Sequence, residues 1–337
     1  MTTLAVVLLA AGQGARMNSK TQKILHEVGG KPMVLHLFEA AEAVAAIPPV
    51  LVVGPGKAGV QGLIGDRAQY AIQAEQLGTG HATLMAADLL RGRTDQVIVT
   101  YGDMPLLRPQ TLAALAQTQA RTGAAIAMLS LLGELPSSFG RVVREENGRV
   151  REVVEVAEAR QRPNAADLLD IRELNAGVYC FAGEWLWDNL PHLPLRQART
   201  GPEYYLTDMV EMAIRQELAV EAIISDDPEE CLGAGTRAEL VAVEKAFRRR
   251  ANNYWLAHGV TLIDPDSTYI DQDVTIGQDT IIWPNSYLQG QTRIGEDCII
   301  GPNAILRDAQ IDNGCRIEQA VVEKGVIADN EVVAGRW

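Results

Sequence analysis

Between residues 270 and 306 an aliphatic side chain returns at every sixth position: Ile270, Ile276, Ile282, Leu288, Ile294, Ile300 and Leu306. An α-helix repeats near 3.6 residues and a strand at 2, so neither sustains a period of six. A coil of three short strands does. Each aliphatic residue then points into a triangular prism, and the residue four further on falls near a corner that admits only a small or β-branched side chain. Val274, Thr280, Ser286, Thr292, Cys298 and Ala304 meet that demand, and Gly277, Gly295 and Gly301 follow the aliphatic position. The pattern predicts a hexapeptide-repeat parallel β-helix over residues 260–337. It slips by one at Ile311, resumes at Ile317 and fades into Val332 and Val333.

The preceding two thirds of the chain has another texture. Leu4–Ala10, Val50–Val53 and Val97–Tyr101 are almost unbroken apolar runs, which fit strands covered on both faces. Helical patterns over Pro32–Ala46, Gly80–Leu90 and Pro109–Arg121 alternate with them. This alternation predicts an α/β, Rossmann-like, mostly parallel sheet with helices on both faces, over residues 1–235. Thr236 and Glu239 read as a capping box, Leu240, Val243, Phe247 and Tyr254 recur at near-heptad spacing, and Gly259 stands at a stop position. Residues 236–259 are therefore expected to form one linker helix.

Charge and cysteine usage narrow the function classes. Lys and Arg number 30 against 43 Asp and Glu, a net charge of −13. That balance opposes nucleic-acid binding, which needs a basic face, but admits a small anionic substrate in a locally basic pocket. Cys180, Cys231, Cys298 and Cys315 lie far apart, without metal-ligand spacing, as expected for a protein of a reducing compartment. Cys298 and Cys315 fall on the repeats, where small core or corner positions are expected. No apolar run reaches the ~18 residues of a membrane span, and the N-terminus lacks the basic start of a signal peptide. The expectation is a cytoplasmic protein.

The first strand ends in Leu9-Ala10-Ala11-Gly12-Gln13-Gly14-Ala15-Arg16-Met17. A glycine-rich turn leaving the end of the first strand of an α/β sheet is where phosphates bind, because backbone N–H groups can approach the oxygens closely. A dinucleotide fingerprint is broken by Met17 in place of its third glycine, and the nearest P-loop lookalike, Gly54-Pro55-Gly56-Lys57-Ala58, fails in spacing and at Ala58. A third reading adds two cations, Arg16 in the loop and Lys23 seven residues on. A triphosphate that loses pyrophosphate requires such charges. One charge pair at 4 Å contributes roughly 4 kcal/mol before desolvation at an effective dielectric of 20, and salt screens the acidic background within ~10 Å.

These residues carry a resemblance. The L-A-A-G-x-G-x-R-M loop with Lys23-Ile24-Leu25-His26 resembles the opening of sugar-1-phosphate nucleotidyltransferases. Gln73-Ala74-Glu75-Gln76-Leu77-Gly78-Thr79-Gly80-His81-Ala82, Tyr101-Gly102-Asp103-Met104-Pro105-Leu106 and Gly201-Pro202-Glu203-Tyr204-Tyr205-Leu206-Thr207-Asp208 sharpen it. With the linker helix and the repeats, the whole chain resembles the bifunctional N-acetylglucosamine-1-phosphate uridylyltransferase / glucosamine-1-phosphate acetyltransferase family. The resemblance implies a left-handed β-helix, trimeric assembly and uridylyl transfer from UTP to N-acetylglucosamine-1-phosphate with Mg²⁺. It implies that Leu9, Ala10, Ala11 and Gly12 lie against the nucleotide, that Arg16 binds the leaving phosphates and that Lys23 neutralises the α-phosphoryl group. Gln73, Gln76, Gly78 and Thr79 correspond to the uracil-reading segment, a task that suits amides. Tyr101, Gly102 and Asp103 correspond to the metal loop, with Asp103 the carboxylate ligand, and Gly140, Glu155 and Asn175 to positions facing the sugar.

Three departures qualify the match. The family's second metal ligand, an Asn in G-V-N-x-R, corresponds here to Gly235 in Gly233-Ala234-Gly235-Thr236-Arg237. Water is expected to take that ligand's place. Gln22 stands where the family has Pro, which is expected to loosen the loop. The acetyl-transfer site of the family lies in coils beyond Trp337, and none of the five histidines falls in the repeats, so acetyl transfer is not expected. Two alternatives stay open at this stage: another sugar-1-phosphate uridylyl- or thymidylyltransferase, and a degenerate scaffolding or regulatory homologue.

Overall fold

The computed structural model describes residues 2–56, 58–133, 139–198 and 201–335. They form two compact units. One comprises the residues up to Leu25 together with Met33–Thr236; the other comprises His26–Pro32 and the residues from Arg237 onward. Among the described residues no helix is long and apolar enough to cross a membrane.

The first unit is built on a nine-stranded sheet. Its strands in chain order are β1 (Leu4–Ala10), β2 (Val50–Val53), β3 (Gln69–Ile72), β4 (Gln96–Tyr101), β5 (Ile126–Leu132), β6 (Arg141–Arg144), β7 (Val150–Val154), β8 (Glu173–Ala182) and β9 (Val220–Ile224). The spatial order is β9-β5-β8-β4-β1-β2-β3, with β6 and β7 as a side ladder on β8. Pairs β1–β2, β1–β4, β2–β3 and β5–β9 are parallel, while β8 runs antiparallel to both β4 and β5. The parallel set therefore ends together, placing Ala10, Val53, Ile72 and Tyr101 along one edge.

The apolar runs follow from burial on two faces. Leu4, Val6, Leu8 and Ala10 pack into one core with Leu37, Phe38 and Leu112; Ala5 and Val7 pack into the other with Leu90, Trp187 and Met209. Each fully buried Val or Leu contributes roughly 1.5–3 kcal/mol relative to exposure, so every second residue of β1 secures a different layer. The helix Pro109–Thr122 opens on Pro at its first turn and stops at Gly123 (φ +63°), whose N–H donates to the Gln119 carbonyl. The helix expected from Pro32 starts instead at Met33 and ends at Glu42. Pro32 is held in a two-residue hairpin strand opposite Glu27, so Lys31 before it is extended. The pattern over Gly80–Leu90 resolves into two helices, Gly78–Leu84 and Ala87–Leu90.

In the second unit, the helix Arg237–Ala257 buries Val243, Ala246 and Phe247, whereas Tyr254, expected on the same seam, is exposed. Short parallel strands then stack into three sheets, forming a short β-helix. Inward stacks are Leu262–Ile282–Ile300–Ile317–Val333, Ile270–Leu288–Leu306–Val322 and Ile276–Ile294–Ile311–Ile327. The expected corner residues Val274, Thr280, Ser286, Thr292, Cys298 and Ala304 are all buried, and their hydroxyls satisfy turn carbonyls: Thr280 donates to Gly295 (2.8 Å), Ser286 to Trp283 (2.7 Å) and Thr292 to Gln289 (2.7 Å). Cys315 is buried in the same core. The repeat does not fade after Ile317: Val322 and Ile327 continue it in steps of five rather than six.

Candidate active site

The turn after β1 is shaped by one tight contact. Gly14 adopts a left-handed backbone (φ +72°), and a Cβ there would collide with Cβ of Lys23, so only glycine lets the loop close over the lysine. Gly12, by contrast, faces open space. Ala15–Met17 form a single 3₁₀ turn that leaves Arg16 exposed. Lys23 opens a second such turn, and its Nζ lies 2.5 Å from Asp103 Oδ2, with both side chains largely buried. Gln22, expected to loosen this loop, ties it down: its Nε2 donates to the Ala10 carbonyl at 3.1 Å. An amide side chain replaces the rigidity that a proline ring would supply.

β4 delivers the metal-loop residues. Gly102 N–H donates to the Leu9 carbonyl (2.9 Å), extending the β1–β4 register one step past the end of β4. Asp103 also meets the segment that carries Gly235: Ala234 N–H donates to the Asp103 carbonyl (3.2 Å), and Gly235 is buried. Burial, then the charges of Glu155 and Asp103, push the Tyr101 hydroxyl well above the usual phenol range, so it stays protonated.

The amide-rich segment is anchored from both sides. Gln73 is buried; its Nε2 donates to the Gly78 carbonyl (3.1 Å) and lies 3.1 Å from His81 Nδ1. Gln76 Nε2 donates to the Ala11 carbonyl (2.9 Å). The Gly201–Asp208 block zips onto residues 77–80: Tyr204 N–H donates to Leu77, Gly80 N–H to Tyr204, and Leu206 N–H to Thr79 Oγ1 (3.0 Å).

These contacts bring Leu9, Ala11, Gly12, Lys23, Gln73, Gln76, Gly78, Thr79, Tyr101 and Asp103 around one cleft of about 540 Å³. Ala10 and Gly102 are buried behind it, and Arg16 stands outside its lining on the exposed loop. Gly140, Glu155 and Asn175 form a separate group. Asn175 N–H donates to the Gly140 carbonyl (2.9 Å), and a Cβ on Gly140 would lie 3.4 Å from Glu155 Oε1. The Asn175 amide is turned inward, donating to the Tyr179 hydroxyl (2.7 Å) and accepting from Gly177 N–H (3.1 Å). Burial, with the nearby carboxylates Glu158 and Asp208, holds the Glu155 carboxyl above its ordinary range. Leu77, Ala82, Gly201, Pro202 and Glu203 also line the cleft and were given no site role from the sequence. Only the spacing of their two blocks announced them, and spacing does not say which residues face a cavity.

Chemically, the cleft offers amides, a carboxylate and a cation at the ends of parallel strands, where α/β sheets bind ligands. Comparison with known proteins agrees. Residues 6–199 match the family model of the MobA-like NTP transferase domain, and residues 273–308 match that of the bacterial transferase hexapeptide (six repeats). The chain is 40% identical over 326 residues to the bifunctional protein GlmU of Exiguobacterium sibiricum, covering 97% of this chain and 70% of the relative. It is 43% identical over 326 residues to the bifunctional protein GlmU of Pelotomaculum thermopropionicum, again covering 70% of that protein. Against the bifunctional protein GlmU of Trichlorobacter lovleyi the identity is 39%, with 98% of this chain and 67% of the relative covered. With a nucleotidyltransferase unit and a short hexapeptide-repeat β-helix aligned along almost its whole length, the chain belongs to the GlmU family.

Proposed function

We propose that the chain transfers a uridylyl group from UTP to N-acetylglucosamine-1-phosphate, giving UDP-N-acetylglucosamine and pyrophosphate. An oxygen of the sugar phosphate attacks the α-phosphorus in line; the bond from that phosphorus to the oxygen bridging to the β-phosphate breaks, and pyrophosphate leaves with the electron pair. Little covalent work falls to the protein, so positioning and charge carry the rate. The observation that carries this reading is the convergence of the β1 turn, the amide segment and Asp103 with Lys23 on a single cleft.

In this reading Gln73, Gln76, Gly78 and Thr79 receive the uracil ring, and Leu9–Gly12 lie along the nucleoside. Lys23 leaves Asp103 for the α-phosphoryl group when the polyanion arrives, and Arg16 closes on the leaving phosphates from the exposed loop. Gly140, Glu155 and Asn175 take the sugar, which requires the Asn175 amide to turn from Tyr179 toward the cleft. Asp103 suits a magnesium ion: it is a hard oxygen donor, little exposed, next to a cleft sized for phosphates, and water and phosphate oxygens would complete the set. When bound, Mg²⁺ supplies charge neutralisation on the phosphates. With Gly235 at the second ligand position, a water is proposed in place of a side chain.

The β-helix supports assembly as a homotrimer. Two prism faces carry mainly apolar outward residues: Tyr269, Tyr287, Ile305 and Val321 beside the polar row Gln289, Arg307 and Glu323 on one, and Ile281, Trp283, Ile299 and Val332 interrupted by Arg316 on another, while the third carries Thr275, Arg293, Gln310 and Val326. Two apolar faces per prism are what packing three parallel copies about an axis needs. A monomer in light scattering at micromolar concentration refutes this.

The test is pyrophosphate release across UTP and dTTP with N-acetylglucosamine-1-phosphate and glucose-1-phosphate, Mg²⁺ titrated. The expected result is a kcat/KM for UTP with N-acetylglucosamine-1-phosphate at least tenfold above every other pairing, and a lower Mg²⁺ requirement in Gly235→Asn. Equal rates with glucose-1-phosphate, or none with any pair, sink the assignment.

A further inference from the structure

Strand β8 departs from regular pairing just after Asn175. Asn175 lies opposite Ser130 and Tyr179 opposite Met128, so four steps of β8 pass two of β5. Gly177 absorbs the excess with a left-handed backbone (φ +76°), and a Cβ there would collide with the ring of Tyr101, a cleft-lining residue. Bulges of this kind re-aim side chains beside active sites. This one brings the side chains of Asn175 and Tyr179 together, and both residues are buried.

The orientation of the amide is fixed by its partners. The Gly177 N–H can only donate, so it holds Asn175 Oδ1 (3.1 Å) and leaves Nδ2 to face the phenol, whose oxygen accepts at 2.7 Å. The main chain is held too, since the Asn175 N–H donates to the Gly140 carbonyl. Turning the amide outward is therefore a side-chain rotation that gives up two hydrogen bonds. Burial, ahead of the neighbouring Tyr101 and Glu155, raises the Tyr179 hydroxyl well above the usual phenol range, so it stays protonated. The contact thus joins two neutral groups. It is about half as strong as a charge-assisted one and open to competition from a ligand that offers several hydrogen bonds. Among the described residues, neither Asn175 nor Tyr179 lines the cleft.

We propose that Tyr179 is a latch on the sugar site: its hydroxyl holds the Asn175 amide away from the cleft until a sugar phosphate bearing hydroxyl and acetamido groups draws it out. The proposal rests on the transferase reading above and deepens it by naming a residue that sets the affinity for the sugar. Tyr179 is a positioning residue, because it acts through Asn175. Part of the sugar's binding free energy goes into releasing the amide, so the observed affinity is lower than a released site would give. Removing the hydroxyl takes one hydrogen bond from the retracted state alone, and the sugar then binds more tightly.

Two measurements on the full chain test it: KM for N-acetylglucosamine-1-phosphate at saturating UTP, and calorimetric binding of UDP-N-acetylglucosamine against UDP, which lacks the sugar. Tyr179→Phe is expected to lower that KM and the Kd of the sugar nucleotide about fivefold, the range for one neutral hydrogen bond. KM for UTP and Kd for UDP should stay within about twofold. In an Asn175→Ala background the same substitution should change neither sugar value, because the latch then holds nothing. A residue that only supports the fold has no route to tighter binding. Sugar affinity unchanged or weakened in Tyr179→Phe overturns the latch, as does an equal gain in the Asn175→Ala background; should Asn175→Ala fail to fold, Tyr179→Phe decides alone. If the wild-type chain binds UDP-N-acetylglucosamine without turnover, the transferase reading falls and the calorimetry decides the latch by the same criteria. If it binds the sugar nucleotide no better than UDP, the latch is overturned.

Discussion

In the β-helix an inward side chain has its counterpart one coil away: Ile300 stacks between Ile282 and Ile317. In the cleft no residue has a counterpart. Asp103, Gln73 and Thr79 each stand once, at the ends of elements brought together by the sheet. Repetition spreads a structural task over many equivalent positions, so losses there appear as stability. Uniqueness concentrates a chemical task, so losses appear as rate.

Three substitutions press on that contrast, from the largest effect down. Asp103→Ala should lower kcat/KM for pyrophosphate release by about 10³-fold, the scale of a removed electrostatic stabiliser. Undiminished turnover would remove Asp103 from the metal role. Ile300→Ala, buried at the prism centre, should cost about 3 kcal/mol in urea unfolding monitored by circular dichroism, with kcat of the folded protein unchanged. A smaller cost would mean that neighbouring coils collapse into the cavity.

Glu155→Gln crosses the two categories. Its carboxyl is held above the ordinary range chiefly by burial, so the native state resists ionising it. Stability from this group is therefore highest at low pH and falls as pH rises from the unfolded-state value, about 4.3, through the higher folded value. The neutral amide should raise stability at pH 8, and the gain should vanish below the unfolded-state value. Turnover with the sugar phosphate should fall at the same time. Equal stabilisation at pH 3 and pH 8 would show that charge is not the cause.

How much was legible beforehand follows the same division. A period of six has one simple physical cause, so Ile270 through Leu306 announced the prism without ambiguity. The corners announced less. Asp279, Asn285, Asp297 and Asn303 adopt left-handed backbones at the turns, yet short polar residues at such spacing also read as ordinary loop. Val322 and Ile327 were missed because the step changed from six to five, and periodicity arguments fail when the period does. In the first unit, strands β1 and β2 stood out as unbroken apolar runs, whereas the antiparallel β8 between β4 and β5 had no local signature; its place depends on long-range pairing. Gln22 was misjudged for a related reason. Its side chain reaches back twelve residues to Ala10, and sequence distance hid a contact that replaces proline's constraint.

The change of step within the β-helix has a consequence for how such a chain can vary. Dropping one residue from a flat strand inverts its inner and outer faces. Here Ile311 arrives one residue early over its coil and Val322 two, and they still sit above Ile294 and Leu306, because the shortfall is absorbed at the bends between strands. Each bend is thus a place where evolution, or an engineer, can delete or insert single residues without reversing what faces the interior. The sheet carrying the cleft offers no such tolerance within its strands.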